Sequence, residues 1–389
     1  MSEARIGRIS NENSTAGPII SGITTFSGQN YFVPPKGTTA ERPSNCPVGS
    51  IRFNTDSAKL EYFDGLQWLE FEAFNNELGN QNVTTSAGGT GTRGLSAGGN
   101  GPGGATSNIQ YFTFETLGNT STFGALTGGF SYKYGTASTT RGVFAGGYTG
   151  SPSTGIEYVT ISSTGNAISF GSLTSGRWGV AACSNGTRGV FMGGTLGPGT
   201  ITAGENFIEY VTIASTGNAV DFGDLNYEPA TAKGIESSVR ALCAGGYDDV
   251  TNSGTNRIDF ITMSSTGNAT DYGDLITASY VGGAGSSATR GIYGGGTVGP
   301  TTVNSIDFVT IATTGNAQDF GDLTVSAASR DASSSKTRCV FIGGESGPAN
   351  VNTIDYVTIA TTGNAQDFGD YSPYTISAHG QISNGHGGL

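Results

Sequence analysis

The chain has 389 residues, of which 65 are glycine, and its formal net charge at pH 7 is −12. Glycine is more than twice as frequent as in an average protein, whereas charged residues make up only 12% of the chain. Phe, Tyr, Val and Ile are numerous enough to build a core, which argues against plain disorder. The acidic balance, without a cluster of Lys and Arg, argues against nucleic acid or an anionic membrane surface as a direct partner.

The sequence also gives expectations about compartment. MSEARIGRIS at the N-terminus lacks the apolar core of a signal peptide, and no run of about 18 apolar residues predicts a membrane-spanning helix. Cys46, Cys183, Cys243 and Cys339 show no CxxC motif and no paired spacing. We therefore expect free thiols, synthesis in a reducing cytoplasm and no membrane insertion.

The first 82 residues divide into three predicted segments. Residues 1–46 are polar and poor in core residues, which predicts an extended arm that orders on a partner. In residues 47–72, SIRFN and KLEYF alternate apolar and polar side chains around TDSA, which predicts a small β-hairpin module ending near Trp68. Residues 73–82 are polar and are the predicted linker to the rest of the chain, 83–389.

Residues 83–389 are repetitive. A short strand that begins with an arginine and ends in a Gly pair recurs six times, as in TRGVFAGG at 140–147 and TRCVFIGG at 337–344. Successive copies lie 47 to 52 residues apart, with the arginines at positions 93, 141, 188, 240, 290 and 338. Self-similarity at this period is typical of propellers, solenoids and other repeat architectures.

Each repeat contains four strand candidates. The first strand precedes the arginine, and the second begins with it. The third strand resembles IEYVTI at 156–161 and the fourth resembles NAISFGSL at 166–173. An STGN hairpin loop joins the third strand to the fourth. Four short antiparallel strands per repeat predict an all-β fold, a β-propeller of six blades with seven as the alternative. TISAHGQISNG at 375–385 resembles another first strand, so we expect the C-terminal end to complete the first blade and remove a sheet edge.

The tripeptide DFG recurs in the fourth strand and matches a catalytic motif of protein kinases. The Gly-rich loop, strand lysine and HRD loop that a kinase also needs do not occur in the sequence. We interpret Phe222, Phe320 and Phe368 as core residues between blades, and the Gly as the point where the strand end turns. We expect the neighbouring acids to pair with repeat arginines such as Arg290 or Arg338.

Other catalytic and metal-binding patterns are weak. The two histidines, His379 and His386, lack the Cys or acid spacing of a zinc site or a catalytic triad. YDDVTNSGTNRID at 247–259 is loosely calcium-like but lacks the EF-hand pattern. The Gly pairs follow the repeat period and do not form a phosphate loop. We therefore predict that the protein is not an enzyme and has no metal and no cofactor.

The loops between the second and third strands differ among repeats, whereas the STGN turns are nearly uniform. Loops on a rigid scaffold are where binding usually resides. The candidate ligand-facing residues are Tyr148, Asn206, Tyr247, Asp248, Asp249 and Asn252. The alternative interpretation is sequence drift in unconstrained surface loops.

Three resemblances add to this interpretation. The Gly pair after an apolar run, with an aromatic residue near the end of the fourth strand, resembles a Kelch-type blade. The hairpin region resembles a module of bacteriophage tail fibres and other virion structural proteins. The residues that carry this resemblance are Arg42–Pro43, Gly49–Asn54, Glu61–Phe63 and Trp68. Repeats reading YVTIASTGNA followed by FGDL are similar to those of marine phage structural proteins, especially of cyanophages. In that family the N-terminal part attaches to the virion.

The resemblance implies a phage virion structural protein, a tail fibre or appendage, that is made in the host cytoplasm. Residues 1–72 are then expected to contact other proteins of the tail, neck or capsid and to form a homo-oligomer such as a trimer. The candidate attachment residues are Tyr31, Phe32, Pro34, Pro35, Arg52, Phe53, Tyr62 and Trp68. The propeller is expected to face the host, with a cell-surface glycan or protein as its ligand.

Two alternatives stay open. One is a decoration or cement protein of the capsid, neck or tail, with no host ligand. The other is a glycan depolymerase, which requires a cleft with two acids about 5–9 Å apart.

Overall fold

The structure is a computed structural model that describes residues 34–57, 59–70 and 92–389. The chain divides into two compact units, one within Met1–Asn76 and the other within Glu77–Leu389. In the described residues every regular element is a β-strand except one 3₁₀ helix at Thr39–Glu41, so the predicted all-β class is confirmed. The predicted linker, 73–82, lies outside the described residues, as do Tyr31 and Phe32.

The smaller unit contains one four-stranded sheet. Its strands are Lys36–Gly37, Ile51–Asn54, Lys59–Phe63 and Trp68–Glu70. The last three strands are antiparallel, as the hairpin pattern predicts. Lys36, however, pairs in parallel with Phe53. This pairing corrects the predicted boundary at residue 46, because the end of the predicted arm is already part of the sheet.

Within residues 92–389 the structure contains six four-stranded antiparallel sheets, one per repeat. We number them by the arginine of the second strand, from Arg93 in sheet 1 to Arg338 in sheet 6. The strands, from first to fourth, are Gly380–Ser383, Arg93–Ala97, Asn108–Thr113 and Ser121–Ala125 in sheet 1; Tyr134–Ala137, Arg141–Ala145, Gly155–Thr160 and Ile168–Ser172 in sheet 2; Ala181–Ser184, Arg188–Met192, Phe207–Thr212 and Val220–Asp224 in sheet 3; Lys233–Glu236, Arg240–Ala244, Arg257–Thr262 and Thr270–Asp274 in sheet 4; Gly283–Ser286, Arg290–Gly294, Ser305–Thr310 and Gln318–Asp322 in sheet 5; and Asp331–Ser334, Arg338–Ile342, Thr353–Thr358 and Gln366–Asp370 in sheet 6.

Short strands stiffen several of the loops between second and third strands. They are Asn100–Gly101 with Gly104–Ala105, Tyr247–Asp248 with Ser253–Gly254, Thr297–Val298 with Thr301–Thr302, and Glu345–Ser346 with Ala349–Asn350. Pro229–Ala230, in the segment that joins sheet 3 to sheet 4, also pairs with Tyr247–Asp248. These loops therefore adopt defined conformations that their own strand pairing stabilises.

The C-terminal end completes sheet 1. Gly380–Ser383 pairs with Arg93–Ala97, with Ile382 opposite Leu95, so the predicted pairing is confirmed. The first strand of each sheet contacts the first strand of the next sheet, and Gly380–Ser383 contacts the first strands of both sheet 6 and sheet 2. The contacts between first strands therefore form a cycle.

The hydrophobic core lies between neighbouring sheets. In the described residues it consists of six clusters of buried side chains, each drawn from two successive sheets. The cluster between sheets 6 and 1 joins Phe368 to Phe112 and Phe114. Phe222 and Phe320 occupy equivalent clusters, which confirms that the aromatic residue of DFG is a core residue. Burying a side chain of this size contributes roughly 1.5–3 kcal/mol.

The STGN segment does more than join the third and fourth strands, because it also pairs with the fourth strand of the preceding sheet. The amide of Gly363 donates to the carbonyl of Phe320 at 2.7 Å, and Asn364 Oδ1 accepts the amide of Asp322 at 3.1 Å. Equivalent pairs of bonds occur at all six interfaces between described sheets. This shared interface is the reason that STGN and FGD recur together.

The Gly of the DFG-like segments is required by this contact. A Cβ at Gly171 would collide with the carbonyl oxygen of Gly217 in the next sheet, and a Cβ at Gly321 would lie 2.5 Å from that of Gly363. The expectation that the Gly of DFG only allows the end of the fourth strand to turn is therefore incomplete. Close approach of the neighbouring backbone excludes a side chain at both positions, and a φ of +146° disfavours one at Gly321 as well.

Each repeat arginine links its sheet to the following one. Arg141 Nη1 donates to the carbonyl of Ile213 at 2.9 Å, and its guanidinium carbon lies 4.2 Å from the ring centroid of Tyr158. Arg338 makes the equivalent bond from sheet 6 to Phe114 of sheet 1, at 2.7 Å. The expected pairing of Arg290 and Arg338 with acids is wrong, because their guanidinium groups contact a backbone carbonyl and an aromatic ring.

Left-handed residues precede the six first strands. They are Tyr132, Gly179, Thr231, Val281, Ser329 and Ala378, with φ between +51° and +69°. Five of the six are not glycine, and a left-handed residue with a side chain costs about 1–2 kcal/mol. Backbone hydrogen bonds from one sheet to the next hold several of these residues in place. The amide of Thr231 donates to the carbonyl of Gly179 at 2.9 Å, and the amide of Gly179 donates to the carbonyl of Tyr132 at 3.1 Å.

We expect Gly171→Ala to lower the free energy of unfolding by about 2 kcal/mol, as is typical of overpacking. Gly217→Ala is the matched control, because its Cβ would meet nothing within 4 Å, and we expect a loss below about 1 kcal/mol. Neither glycine has a positive φ. Chemical denaturation measures both, and equal losses would contradict the close-contact explanation.

Candidate functional site

Tyr148, a predicted ligand-facing residue, lies in an aromatic cluster on sheets 2 and 3. Its ring centroid is 5.9 Å from that of Trp178, which is 5.0 Å from that of Tyr132. Trp178 is buried, and its Nε1 donates to the carbonyl of Gly197 at 2.9 Å. Tyr148 is half-buried. It therefore presents part of a ring that a buried tryptophan holds in place.

Tyr247 and Asn252 meet in the hairpin of sheet 4. The hydroxyl of Tyr247 donates to Asn252 Oδ1 at 2.9 Å, and Asn252 has a φ of +53°. Asp248 is buried, and its carboxylate accepts the amide of Val250 at 3.2 Å and the hydroxyl of Thr251 at 3.1 Å. The Asp248 carboxylate therefore stabilises the turn itself. Throughout the described ranges, no group of three or more His, Cys, Asp or Glu side chains is placed to hold a metal ion.

Asn206 and Asp249 are half-buried and contribute backbone contacts. The carbonyl of Asn206 accepts the amide of Leu225 at 2.8 Å, and the amide of Asp249 donates to Glu228 at 3.4 Å. The structure thus brings Tyr247 together with Asn252 in one hairpin, whereas Tyr148 lies on sheet 2. The six predicted residues do not form a single site.

A polar cluster that the sequence did not predict lies at the centre of the cycle. The first strands of all six sheets line a cavity of about 50 Å³, enough for a few water molecules. Lys233 Nζ lies 3.0 Å from Asp331 Oδ1 and 3.5 Å from the ring centroid of Tyr134, and the amide of Gln381 donates to Asp331 Oδ2 at 2.8 Å. Burial lowers the pKa of Lys233 and raises the pKa of Asp331.

The two histidines are both buried, but their charges differ. Burial and nearby cationic side chains lower the pKa of His379 to about 3, so its ring is neutral. Burial also opposes charge on His386, but Glu236 and the carbonyl of Ala137 outweigh it and raise the pKa of His386 above 6.5. Nδ1 lies 2.8 Å from Glu236 Oε1, and Nε2 lies 2.8 Å from the Ala137 carbonyl. Two acceptors facing the two nitrogens favour the doubly protonated ring.

These contacts fix residues 384–389 against the ends of first strands. A Cβ on Gly387 would collide with the carbonyl of Ser287, and one on Gly388 would collide with that of Ser184. The amide of Gly388 also lies 3.1 Å from Nδ1 of His386, a longer contact than the one to Glu236. The segment therefore fits its groove closely.

In the smaller unit, the motif residues meet at the buried carboxylate of Glu61. Arg42 Nε donates to Glu61 Oε2 at 3.0 Å, Arg52 Nε lies 3.4 Å from Oε1, and Asn54 Nδ2 donates to Oε2 at 3.2 Å. The guanidinium carbon of Arg52 lies 5.9 Å from the ring centroid of Trp68. The hydrogen bond from Arg42 outweighs burial and holds the pKa of Glu61 below its usual range. The motif thus encodes the fold of this unit.

The predicted attachment residues divide between the two faces of this sheet. Arg52 is buried in the ion-pair cluster, and Trp68 is half-buried beside it. Phe53 and Tyr62 lie on the opposite face, where they pair across the strands with Leu60 and Ile51. This second face is apolar and partly exposed.

The two prolines of the predicted attachment set lie at the start of the described chain. Pro34 is half-buried and Pro35 is exposed. The carbonyl of Pro35 accepts the amide of Phe53 at 2.8 Å, which begins the parallel pairing of the first strand.

No known protein family matches the chain, and no curated protein matches it. In the ranges that the structure covers, no helix has the length and apolar character needed to cross a membrane.

We expect the two histidines to give opposite pH dependences of stability. The pKa of His386 is raised on folding, so its contribution is full below about pH 6.5 and is lost as the pH rises through the folded pKa. The pKa of His379 is lowered, so stability is lost as the pH falls below 6.5 and the unfolded chain takes up a proton.

Denaturation between pH 4 and pH 9 measures these slopes. We expect the free energy of unfolding of His386→Gln to decrease less than that of the parent chain as the pH rises toward 9. We expect that of His379→Gln to decrease less than that of the parent chain as the pH falls toward 4. If both variants kept the slopes of the parent chain, the assigned charges would be wrong.

We expect Glu61→Gln to destabilise the smaller unit by about 3 kcal/mol, because a buried arginine loses its counter-charge. Glu70→Gln is the matched control, because Glu70 makes a more exposed pair with Lys59, 3.1 Å apart, and such pairs contribute about 0–1 kcal/mol. Hydrogen–deuterium exchange of residues 51–63 measures the effect. Unchanged exchange in Glu61→Gln would contradict the central role of this carboxylate.

Proposed function

We propose that this chain is a structural protein of a bacteriophage virion, a tail fibre or another appendage. The smaller unit attaches it to other virion proteins, and the six-sheet unit binds a glycan or protein of the host surface. The observation that carries the proposal is the pairing of a small unit built on the phage-type motif with a large repetitive unit that varies in its loops.

The proposed architecture of the larger unit is a six-bladed, Kelch-like propeller. Three features support it: the cycle of contacts between first strands, the arginine links that run from each sheet to the next, and the core clusters between successive sheets. The bond from Arg338 to Phe114 and the strand Gly380–Ser383 both join the last repeat to the first. These links favour six blades over seven.

The attachment role of the smaller unit is supported by its exposed apolar side chains. Ile51 is 52% exposed, Leu60 41%, Val48 72% and Leu66 93%. A small sheet with such a surface fits an interface with another virion protein or with a second copy of the chain. Oligomerisation through this unit belongs to the proposal.

The host-facing role is supported by the loops between second and third strands. Tyr148 and Tyr247 present half-buried rings whose positions are fixed by Trp178 and Tyr280. Fixed aromatic rings offer apolar contact area together with a hydroxyl, which suits a sugar or peptide ligand.

A decoration or cement role is the second candidate, and the outer strands of sheets 2 and 3 favour it. Ile168 is 55% exposed and Val220 is 54% exposed. At the equivalent position sheets 4, 5 and 6 have the polar residues Thr270, Gln318 and Gln366. Apolar residues on one side of the unit fit a lateral contact with a neighbouring virion protein.

The test compares the full chain with a shortened chain that begins at Glu77. We expect both to bind cyanobacterial host cells and only the full chain to bind phage particles that lack this protein. In the full chain we expect Tyr148→Ala and Tyr247→Ala to weaken binding to cells. Thr216→Ala, an exposed change in an STGN loop, is the control.

The outcomes separate the candidates. Binding to particles without binding to cells would refute host recognition and leave the decoration role. Failure of the full chain to bind particles would refute the virion proposal itself.

A further inference from the structure

A cavity of about 500 Å³ lies where the loops between first and second strands of sheets 5 and 6 meet residues 387–389. Its lining includes Ser287, Thr289, Arg290, Lys336, Gly387 and Leu389. Because successive loops of an antiparallel sheet alternate between its ends, this cavity lies at the opposite end from Tyr148 and Tyr247. Its volume is in the range of small-molecule sites.

Lys336 departs from the repeat at this cavity. It stands two residues before the repeat arginine of sheet 6. The equivalent residues in the other repeats are Gly91, Thr139, Gly186, Ser238 and Ala288. Five small or neutral residues show that the fold does not need a cation here, so the lysine is not explained by the sheet architecture.

The environment of Lys336 differs from that of the other lysines of the larger unit. Lys133 and Lys233 are buried and paired with Glu157 and Asp331. Lys336 is exposed, and no described residue makes a hydrogen bond or an ion pair with it. Its charge is therefore available to a ligand.

Arg290 supplies a second positive charge in a fixed position. Its Nη1 donates to the carbonyls of Ile359 at 3.0 Å and Ala360 at 3.1 Å, and its guanidinium carbon lies 4.4 Å from the ring centroid of Phe308. These bonds leave the Nη2 donors unused by the described residues. A guanidinium held in this way keeps its charge and its planar donor pattern for a carboxylate or a similar oxyanion.

The third wall, residues 387–389, is held closely against sheet 5. Gly387 packs against the backbone of Ser287, and His386 beside it is paired with Glu236, whose carboxylate is thereby compensated. The exposed hydroxyl of Thr289 adds a donor and acceptor at the rim. The protein as a whole carries a charge of −12, but at physiological salt charges beyond about 8 Å are screened, so the local cations dominate.

We propose that this cavity binds the acidic group of a sugar, with Lys336 and Arg290 contacting the carboxylate and Thr289 contacting a sugar hydroxyl. The proposal rests on the proposed function, because it names an acidic glycan as a ligand of the larger unit. It places that ligand at the end of the sheets opposite the variable loops.

The test titrates the full chain with glucuronate, glucose and inorganic sulfate, and follows binding by NMR. We expect glucuronate to bind, glucose not to bind, and sulfate to bind more weakly than glucuronate. Lys336→Gln should weaken glucuronate binding at least tenfold, whereas Lys336→Arg should retain it. Ser238→Gln introduces the same residue at the equivalent exposed position of sheet 4, where no charge is lost, and should have no effect.

Three results would overturn the proposal: no binding of glucuronate, equal binding by Lys336→Gln, or sulfate binding as tightly as glucuronate, which would mean that the site recognises a free anion only. Attachment to particles through the smaller unit is measured separately. A failed titration therefore leaves the virion proposal standing, and a failed particle assay leaves the sugar site standing.

Discussion

Each sheet of the larger unit buries both of its faces against its neighbours, and this requirement governs the rest of the structure. In sheet 3, Val190 belongs to the core shared with sheet 4, and the next residue, Phe191, belongs to the core shared with sheet 2. A sheet at the end of an open row would leave one such face in water. Ile382, on the C-terminal strand, fills the core between sheets 1 and 2. The last strand is thus part of the first sheet because the core needs it there.

Polar groups reinforce the same contacts. The carboxylate of Glu157 accepts the amide of Thr127, which follows the fourth strand of the preceding sheet, at 2.8 Å. It also lies 3.4 Å from Lys133 Nζ. Asp259 accepts the amide of Asn226 in the same way at 2.7 Å, and burial raises its pKa. Buried charges contribute little net stability, but each of these acids satisfies a backbone donor at a sheet junction, which helps to fix how neighbouring sheets are aligned.

The sequence predicts what depends on local pattern and repetition. Strand alternation gives the four strands per repeat, and the resemblance of 375–385 to a first strand gives the C-terminal pairing. The reason for Gly171 was not predictable, because it depends on where a carbonyl of the next sheet lies. Charge complementarity suggested acids as partners of Arg290, but the nearest acceptor at the interface is a carbonyl.

The candidate sites were harder to predict than the fold. Lys233 and Asp331 are 98 residues apart and occupy the same position, the first residue of a first strand, in sheets 4 and 6. The other sheets have uncharged residues there, so repetition does not reveal the pair, and only the cycle of sheets brings the two charges together. Among the loop residues, Asp248 looked available for a ligand, but its carboxylate is used within its own turn. Such uses depend on loop conformation, which residue type alone does not specify.

The repeated residues are nearly all accounted for by contacts between sheets. The arginine that opens the second strand, the STGN segment, and the core aromatic with its glycine each contact the next or the preceding sheet. The DFG letters are therefore an interface signature. The core aromatic residue and its glycine are committed to that interface and are not free to bind a ligand, whereas a repeat arginine such as Arg290 keeps donors that the interface does not use. Because those donors recur in every repeat, selective recognition must depend on positions that differ among repeats. Lys336, the loops around Tyr148 and Tyr247, and the apolar outer strands of sheets 2 and 3 are positions of this kind.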